Sequence, residues 1–249
     1  MEAGKEKTAA IVLAAGQGRR MKGKVAKQYM LLQEKPVLYY ALKTFQESFV
    51  DEIVLVTEEG GQEYCKKEIV DFFGFDKVKR IVSGGKERYH SVQRGLCALK
   101  DTEYVFIHDG ARPFLTVDIL ERTLEAVRQY KACAVGVPVT DTIKVADADG
   151  FVAETPERSL LWSMQTPQAF TYPLIREAYD CLIRKEARFL EKGIRVTDDA
   201  MVAETILQVP VKIVEGSYEN IKLTTPEDLA RAEILLEKRL KILSQISKK

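Results

Sequence analysis

The sequence predicts a single Rossmann-like, doubly wound α/β domain: a mostly parallel sheet with a projecting β-hairpin arm. Three observations carry this reading. Short apolar, β-rich runs alternate with amphipathic helical stretches along most of the chain. Those runs are continuously hydrophobic rather than polar at every second residue, as expected where helices cover both faces of a sheet. The alternation breaks once, after Val139, where "TIKVADADGFVAET" reads as two short strands around an Asp-Gly turn.

Taken in order, strands are predicted at 9–15 (AAIVLAA), 52–57 (EIVLVT), 78–83 (VKRIVS), 103–108 (EYVFIH) and 134–139 (AVGVPV). Between them lie helices near 37–47, 61–73, 87–100 and 117–130, the first opening at Pro36, where a missing N–H costs little. Beyond the arm, a helix is predicted over 173–191, a strand over 209–216 and a short strand over 220–224. A last helix opens at "TPED", with Thr225 as N-cap and Pro226 in the first position. No internal repeat, low-complexity segment or linker divides the chain, so residues 1–249 are expected to form one domain, with the arm at about 140–160.

Composition narrows the function classes. Thirty-eight basic against 37 acidic residues give a net charge of +1, whereas nucleic-acid modules are usually strongly basic. No apolar run approaches the ~20 residues of a membrane helix, and the short apolar stretch near the N-terminus runs straight into a charged loop rather than a cleavage site. A cytoplasmic protein without nucleic-acid or membrane partners is the expectation. Cys65, Cys97, Cys133 and Cys181 are widely spaced and match no metal-ligand pattern, so they read as buried, reduced thiols.

Open α/β sheets bind ligands beyond the carboxyl ends of their strands. Here those ends carry the loop after Ala15, the "SGG" after the third predicted strand and the "HDGARP" after the fourth. The first loop gathers Arg19, Arg20, Lys22, Lys24 and Lys27 without an acid among them. It is not a dinucleotide fingerprint, because Met21 stands in place of the third glycine, nor a P-loop, because Val25 follows "GRRMKGK" where a Ser or Thr must supply a hydroxyl. Such a cluster beside backbone N–H groups at Gly16 and Gly18 suits the oxygens of a polyphosphate; a solvated charged turn is the competing reading.

The stretches "LAAGQGRRM", "KQY", "GGKERYHSV", "HDGARPF", "PVTDTIK", "TPQAF", "VTDDA" and "NIKLTTPEDL" follow one another between residues 13 and 229. Together they resemble the 2-C-methyl-D-erythritol 4-phosphate cytidylyltransferase family of the non-mevalonate isoprenoid pathway. The ribitol 5-phosphate cytidylyltransferases of teichoic acid synthesis are similar and form the alternative; a non-catalytic nucleotide-binding protein of the same fold is a third reading. The resemblance implies a magnesium-dependent transfer of CMP from CTP to a polyol phosphate, with Mg2+ as cofactor.

By the same resemblance, Arg20 and Lys27 are the catalytic cations on the triphosphate. Ala14, Ala15, Gly16, Gly18, Gly85, Ser91, Asp109 and Gly110 bind CTP, Gly84 and Gly85 giving the base close access to the backbone. Asp109 also ligates the metal, and with Arg112, Thr142, Arg158, Thr166, Thr197 and Lys222 it holds the second substrate. A homodimer with shared active sites is implied, Thr142 and Arg158 of the arm completing the neighbour's site. Three positions depart from the family pattern: Ala26 replaces a proline, Lys86 an aspartate and Gly110 an alanine.

Overall fold

A computed structural model describes residues 6–16 and 26–246. Its strands are β1 (Thr8–Ala14), β2 (Leu31–Leu32), β3 (Lys35–Pro36), β4 (Glu52–Thr57), β5 (Val78–Ser83), β6 (Tyr104–Asp109), β7 (Ala132–Pro138), β8 (Val145–Ala146), β9 (Val152–Glu154), β10 (Trp162–Thr171) and β11 (Lys212–Glu215). The helices are α1 (Val37–Glu47), α2 (Gln62–Tyr64, continuing as a π-helix over Cys65–Asp71), α3 (Arg88–Ala98), α4 (Val117–Tyr130), α5 (Tyr172–Arg184), α6 (Glu186–Glu191), α7 (Asp199–Leu207) and α8 (Pro226–Ile246).

Seven strands form one sheet in the order β11-β7-β10-β6-β1-β4-β5. All neighbours in it are parallel except β10, which runs antiparallel between β6 and β7. The apolar strands present alternate residues to two cores. Ala10 and Val12 face Leu38, Leu42 and Phe45 of α1, with α2 and α4 on the same side. Ala9 and Ile11 face Val92 and Leu96 of α3, joined by α5 and α7. A third cluster seats α8 on Leu32, Val37, Phe114 and Leu223. Burial on both faces explains why these strands carry no polar alternation.

The predicted α/β alternation holds, and so does the hairpin arm, where β8 pairs antiparallel with β9. Two expectations are corrected, and two elements have no counterpart among the predicted ones. The ten-residue strand β10 was not foreseen, because Gln165, Thr166 and Gln168 interrupt its apolar pattern and Pro167 sits where its register against β7 shifts, a place where a strand tolerates proline. The helix over 173–191 is two, α5 and α6, parted at Lys185. Residues 220–224 form no strand; Leu223 instead donates its N–H to the Ala111 carbonyl, which lays the segment across the end of β6. The tight β2–β3 hairpin, turning through positive φ at Gln33 and Glu34, was also missed.

Candidate active site

The carboxyl ends of β1 and β6 and the loop after β5 surround a cavity of about 380 Å³. Its wall includes Ala15, Gly16, Lys27, Gly85, Ser91, Asp109 and Lys222, so the three loops singled out from the sequence do meet at one sheet edge. Arg20 and Gly18, with Arg19, Lys22 and Lys24, lie outside the described residues.

Lys27 opens a single 3-10 turn, Lys27–Tyr29, that is anchored on both sides. Gln28 is buried and donates Nε2 to the Ala14 carbonyl at 2.6 Å. Tyr29 donates its hydroxyl to Glu58 at 2.8 Å and lies 3.1 Å from the Cys65 thiol, whose pKa burial pushes up to about 11. The turn therefore presents Lys27 from a fixed base. The Ala14 carbonyl is taken by the Gln28 amide, and Ala14, unlike Ala15 and Gly16, is not among the residues that line the cavity.

At the second loop, the Ser91 hydroxyl accepts the Gly85 N–H at 3.0 Å, which fixes the turn between β5 and α3. A Cβ at Gly84 would lie 2.4 Å from the Ala15 side chain, and one at Gly85 would lie 2.3 Å from His90. These glycines thus let two protein segments approach each other. Gly110 is likewise an interior position: the space of a methyl group there is filled by Leu38 and the Leu13 carbonyl. It does not line the cavity.

Asp109 ends β6 and is 7% exposed. Lys222 Nζ stands 2.7 Å from its Oδ2, Arg112 Nε 3.9 Å from the same oxygen, and Arg88 Nε 3.4 Å from Oδ1. Burial alone would raise this carboxyl's pKa, but Arg88, Lys222 and Arg112 outweigh it and hold the group well below the usual carboxylate range. Arg112 donates Nη1 to the Asn220 carbonyl, while among the described residues its buried Nε has no hydrogen-bond partner.

Behind Asp109 runs a chain of directed hydrogen bonds. His108 Nε2 lies 3.3 Å from the Arg112 carbonyl, which can only accept, so the proton of the neutral imidazole sits on Nε2. Nδ1 then accepts the Thr166 hydroxyl at 3.0 Å, and the same Thr166 oxygen takes the Asp109 N–H at 3.1 Å. Burial pushes the pKa of His108 down to about 4, and the nearby Arg112 charge acts in the same direction.

The structure thus brings Ala15, Gly16, Lys27, Gly85, Ser91, Asp109 and Lys222 together around the cavity, with Arg112 and Thr166 against Asp109. It does not bring in Thr142 and Arg158, which sit exposed on the arm, Arg158 donating to the Thr140 carbonyl. Thr197 is exposed and points to Met201. Sequence reasoning missed His108, Gln28, Asn220, Arg88 and Asp199. All five lie inside or beside the quoted stretches, but their partners are distant in the chain. Among the described residues, no three His, Cys, Asp or Glu side chains converge as a metal site. A single buried carboxylate suits magnesium delivered with substrate phosphates, which needs only one or two protein oxygens.

An open α/β sheet whose carboxyl edge sets Lys27, Lys86, Arg88 and Lys222 around Asp109 and Glu87 defines a protein of the nucleotide-binding α/β class that handles phosphate esters. A family model, IspD: 2-C-methyl-D-erythritol 4-phosphate cytidylyltransferase, matches residues 8–238. A 2-C-methyl-D-erythritol 4-phosphate cytidylyltransferase from Lachnoclostridium phytofermentans is 49% identical over 93% of this chain and 97% of its own. Another, from Caldanaerobacter subterraneus subsp. tengcongensis, is 46% identical over 92% and 98%. The crystal structure of 4-diphosphocytidyl-2C-methyl-D-erythritol synthase from Anaerococcus prevotii superposes with a TM-score of 0.79 at 33% identity, covering 93% of this chain and 96% of that one. The chain belongs to the 2-C-methyl-D-erythritol 4-phosphate cytidylyltransferase family, whose members are nucleotidyltransferases.

The neutral, buried His108 gives stability a definite pH dependence. Between pH 6.5 and about 4 the unfolded chain takes up a proton that the native imidazole refuses, so stability falls as pH falls through that window. In urea unfolding across this range, the parent protein should lose roughly 3 kcal/mol more than a His108→Gln variant. Parallel pH profiles for the two would contradict the assignment.

Proposed function

We propose that this chain transfers CMP from CTP to the phosphate of 2-C-methyl-D-erythritol 4-phosphate and releases pyrophosphate, a step of non-mevalonate isoprenoid precursor synthesis. The observation that carries the reading is Asp109 at the wall of a cation-lined cavity, in a chain that matches the family over nearly its whole length. Ribitol 5-phosphate is not favoured as acceptor, because the family model and the relatives described above all carry the methylerythritol name.

The acceptor's phosphate monoester has a second pKa near 6 and is already an anionic nucleophile at neutral pH, so no general base is required. One of its oxygens forms the new bond to the α-phosphorus of CTP while the bond to the β-phosphate oxygen breaks and pyrophosphate departs. What the protein supplies is alignment of two mutually repelling anions and stabilisation of charge on the five-coordinate phosphorus. Lys27 on its anchored turn and Arg20 take the triphosphate. Ala14, Ala15, Gly16, Gly18, Gly85 and Ser91 shape the nucleotide side, with Gly110 holding the backbone of β6 against β1. Arg112 and Lys222, both beside Asp109, take the acceptor's phosphate together with Thr197, while Thr166, whose hydroxyl proton is committed to His108, fixes the backbone of Asp109 behind them. Asp109 would hold magnesium, which when bound would neutralise phosphate charge and make the α-phosphorus more electrophilic.

The arm supports a homodimer as the working form. It exposes Ile143, Val145, Phe151 and Val152, an apolar surface of the kind that monomers rarely leave open. Thr142 and Arg158, remote from their own cavity, would reach a neighbour's site. Sedimentation equilibrium should return twice the mass of one chain; a single-chain mass at assay concentrations would remove this part of the proposal. Four free cysteines, of which Cys65 and Cys133 are buried as expected while Cys97 is exposed and Cys181 half-buried, suit the reducing cytoplasm as its location.

Pyrophosphate release from CTP, measured with methylerythritol phosphate and ribitol phosphate side by side, tests the reaction. Release should require the first acceptor, stop on chelation of magnesium, and drop by ~100-fold or more in Lys27→Ala, the scale for one lost charge-stabilising donor. Release with ribitol phosphate alone would show the acceptor to be wrong.

A further inference from the structure

Arg88 and Asp199 have no role in the reaction as described, although they form a buried ion pair across 111 residues at the cavity wall. Arg88 is the first residue of α3 and Asp199 the first of α7. Two parallel bonds join them, Nη1 to Oδ1 at 2.8 Å and Nη2 to Oδ2 at 2.7 Å. Asp199 is fully buried and its Oδ1 also accepts the Tyr179 hydroxyl from α5 at 2.5 Å. The start of α7 is itself fastened to β10: Gln168 donates to Asp198 Oδ2 and accepts the Ala200 N–H.

A buried ion pair contributes little to stability relative to an apolar pair of the same size, so stability is a weak reason to keep one here. Its geometry supplies a better reason. With both terminal nitrogens of Arg88 committed to Asp199, only Nε faces Asp109, on Oδ1 at 3.4 Å. A guanidinium not held in this way would turn its two-pronged edge to Asp109 and cover both oxygens, since that is the geometry arginine prefers with a carboxylate. As it stands, Arg88 meets Oδ1 obliquely, and Oδ2 faces Lys222.

We propose that Asp199, backed by Tyr179, is a positioning residue: it holds Arg88 by its terminal nitrogens, so that Arg88 reaches Asp109 through Nε alone, at 3.4 Å, and Oδ1 keeps a lone pair for the divalent cation that accompanies the nucleotide. The inference rests on the CTP reading above. The rival account is a strut that merely pins α3 to α7.

Calorimetric binding of CTP, with and without magnesium and with no acceptor present, separates the two accounts without turnover. In the parent, magnesium tightens CTP binding. In Asp199→Asn, which keeps the size and the Tyr179 contact, that tightening should fall by about 10-fold, the scale for losing a group that orients a metal ligand. Metal-free affinity should change less than about threefold. Combined with Asp109→Asn, Asp199→Asn should add no further loss, because both act through one carboxylate. Should Asp199→Asn fail to melt cooperatively, Arg88→Lys and Tyr179→Phe replace it, with the same pattern expected and a smaller effect for Tyr179→Phe. Equal weakening with and without metal, an additive double variant, or an unchanged metal effect would overturn the proposal and leave the CTP reading standing. A parent protein that binds no CTP would overturn both.

Discussion

A carboxylate taken out of water must be matched by positive charge, and Asp109 at the end of β6, 7% exposed, is met by three cations. Arg88, Arg112 and Lys222 come to it from three separate parts of the chain. Each part is held in place by the need to present its cation. The N-terminus of α3 is fastened through the Ser91–Gly85 bond, and the loop after β6 through the Leu223–Ala111 bond. The segment before α8 is fixed by Asn220, which bonds Gln165 and the Thr166 carbonyl.

The cations outnumber the acid they surround, and that surplus links structure to function. Two phosphate-bearing substrates must be held close together despite their mutual repulsion, which a neutral or acidic cavity would worsen. The strand β10 matters for the same reason. By running antiparallel between β6 and β7 it places Thr166 behind Asp109 and Gln168 at the start of α7, joining the two halves of the site through the sheet.

Much of this was legible in the sequence. Strands buried on both faces announce themselves as unbroken apolar runs, and the three ligand loops fall at their carboxyl ends because the fold offers no other common edge. The resemblance of eight ordered stretches then pointed to Asp109, Lys222 and Lys27. What the sequence concealed has a common physical cause. β10 combines polar residues that face functional partners with a proline at a register shift, so it lacks a strand's period. Gln28, His108 and Asn220 act through hydrogen bonds whose other ends lie on different elements, and Arg88 and Asp199 are 111 residues apart. Gly85 reads as an opening for a base, whereas the structure gives it a second reason in its contact with His90.

The claim that Asp109 is the charge around which the site is assembled is tested most directly by urea unfolding of Asp109→Asn beside the parent, at neutral pH, low salt and without ligand. Removing the carboxylate leaves Arg112 and Lys222 facing each other with no acid between them, and the account predicts a loss of about 3 kcal/mol. Inorganic triphosphate, which brings negative charge to the same place, should recover part of it. An Asp109→Asn protein as stable as the parent, or more so, would contradict the account.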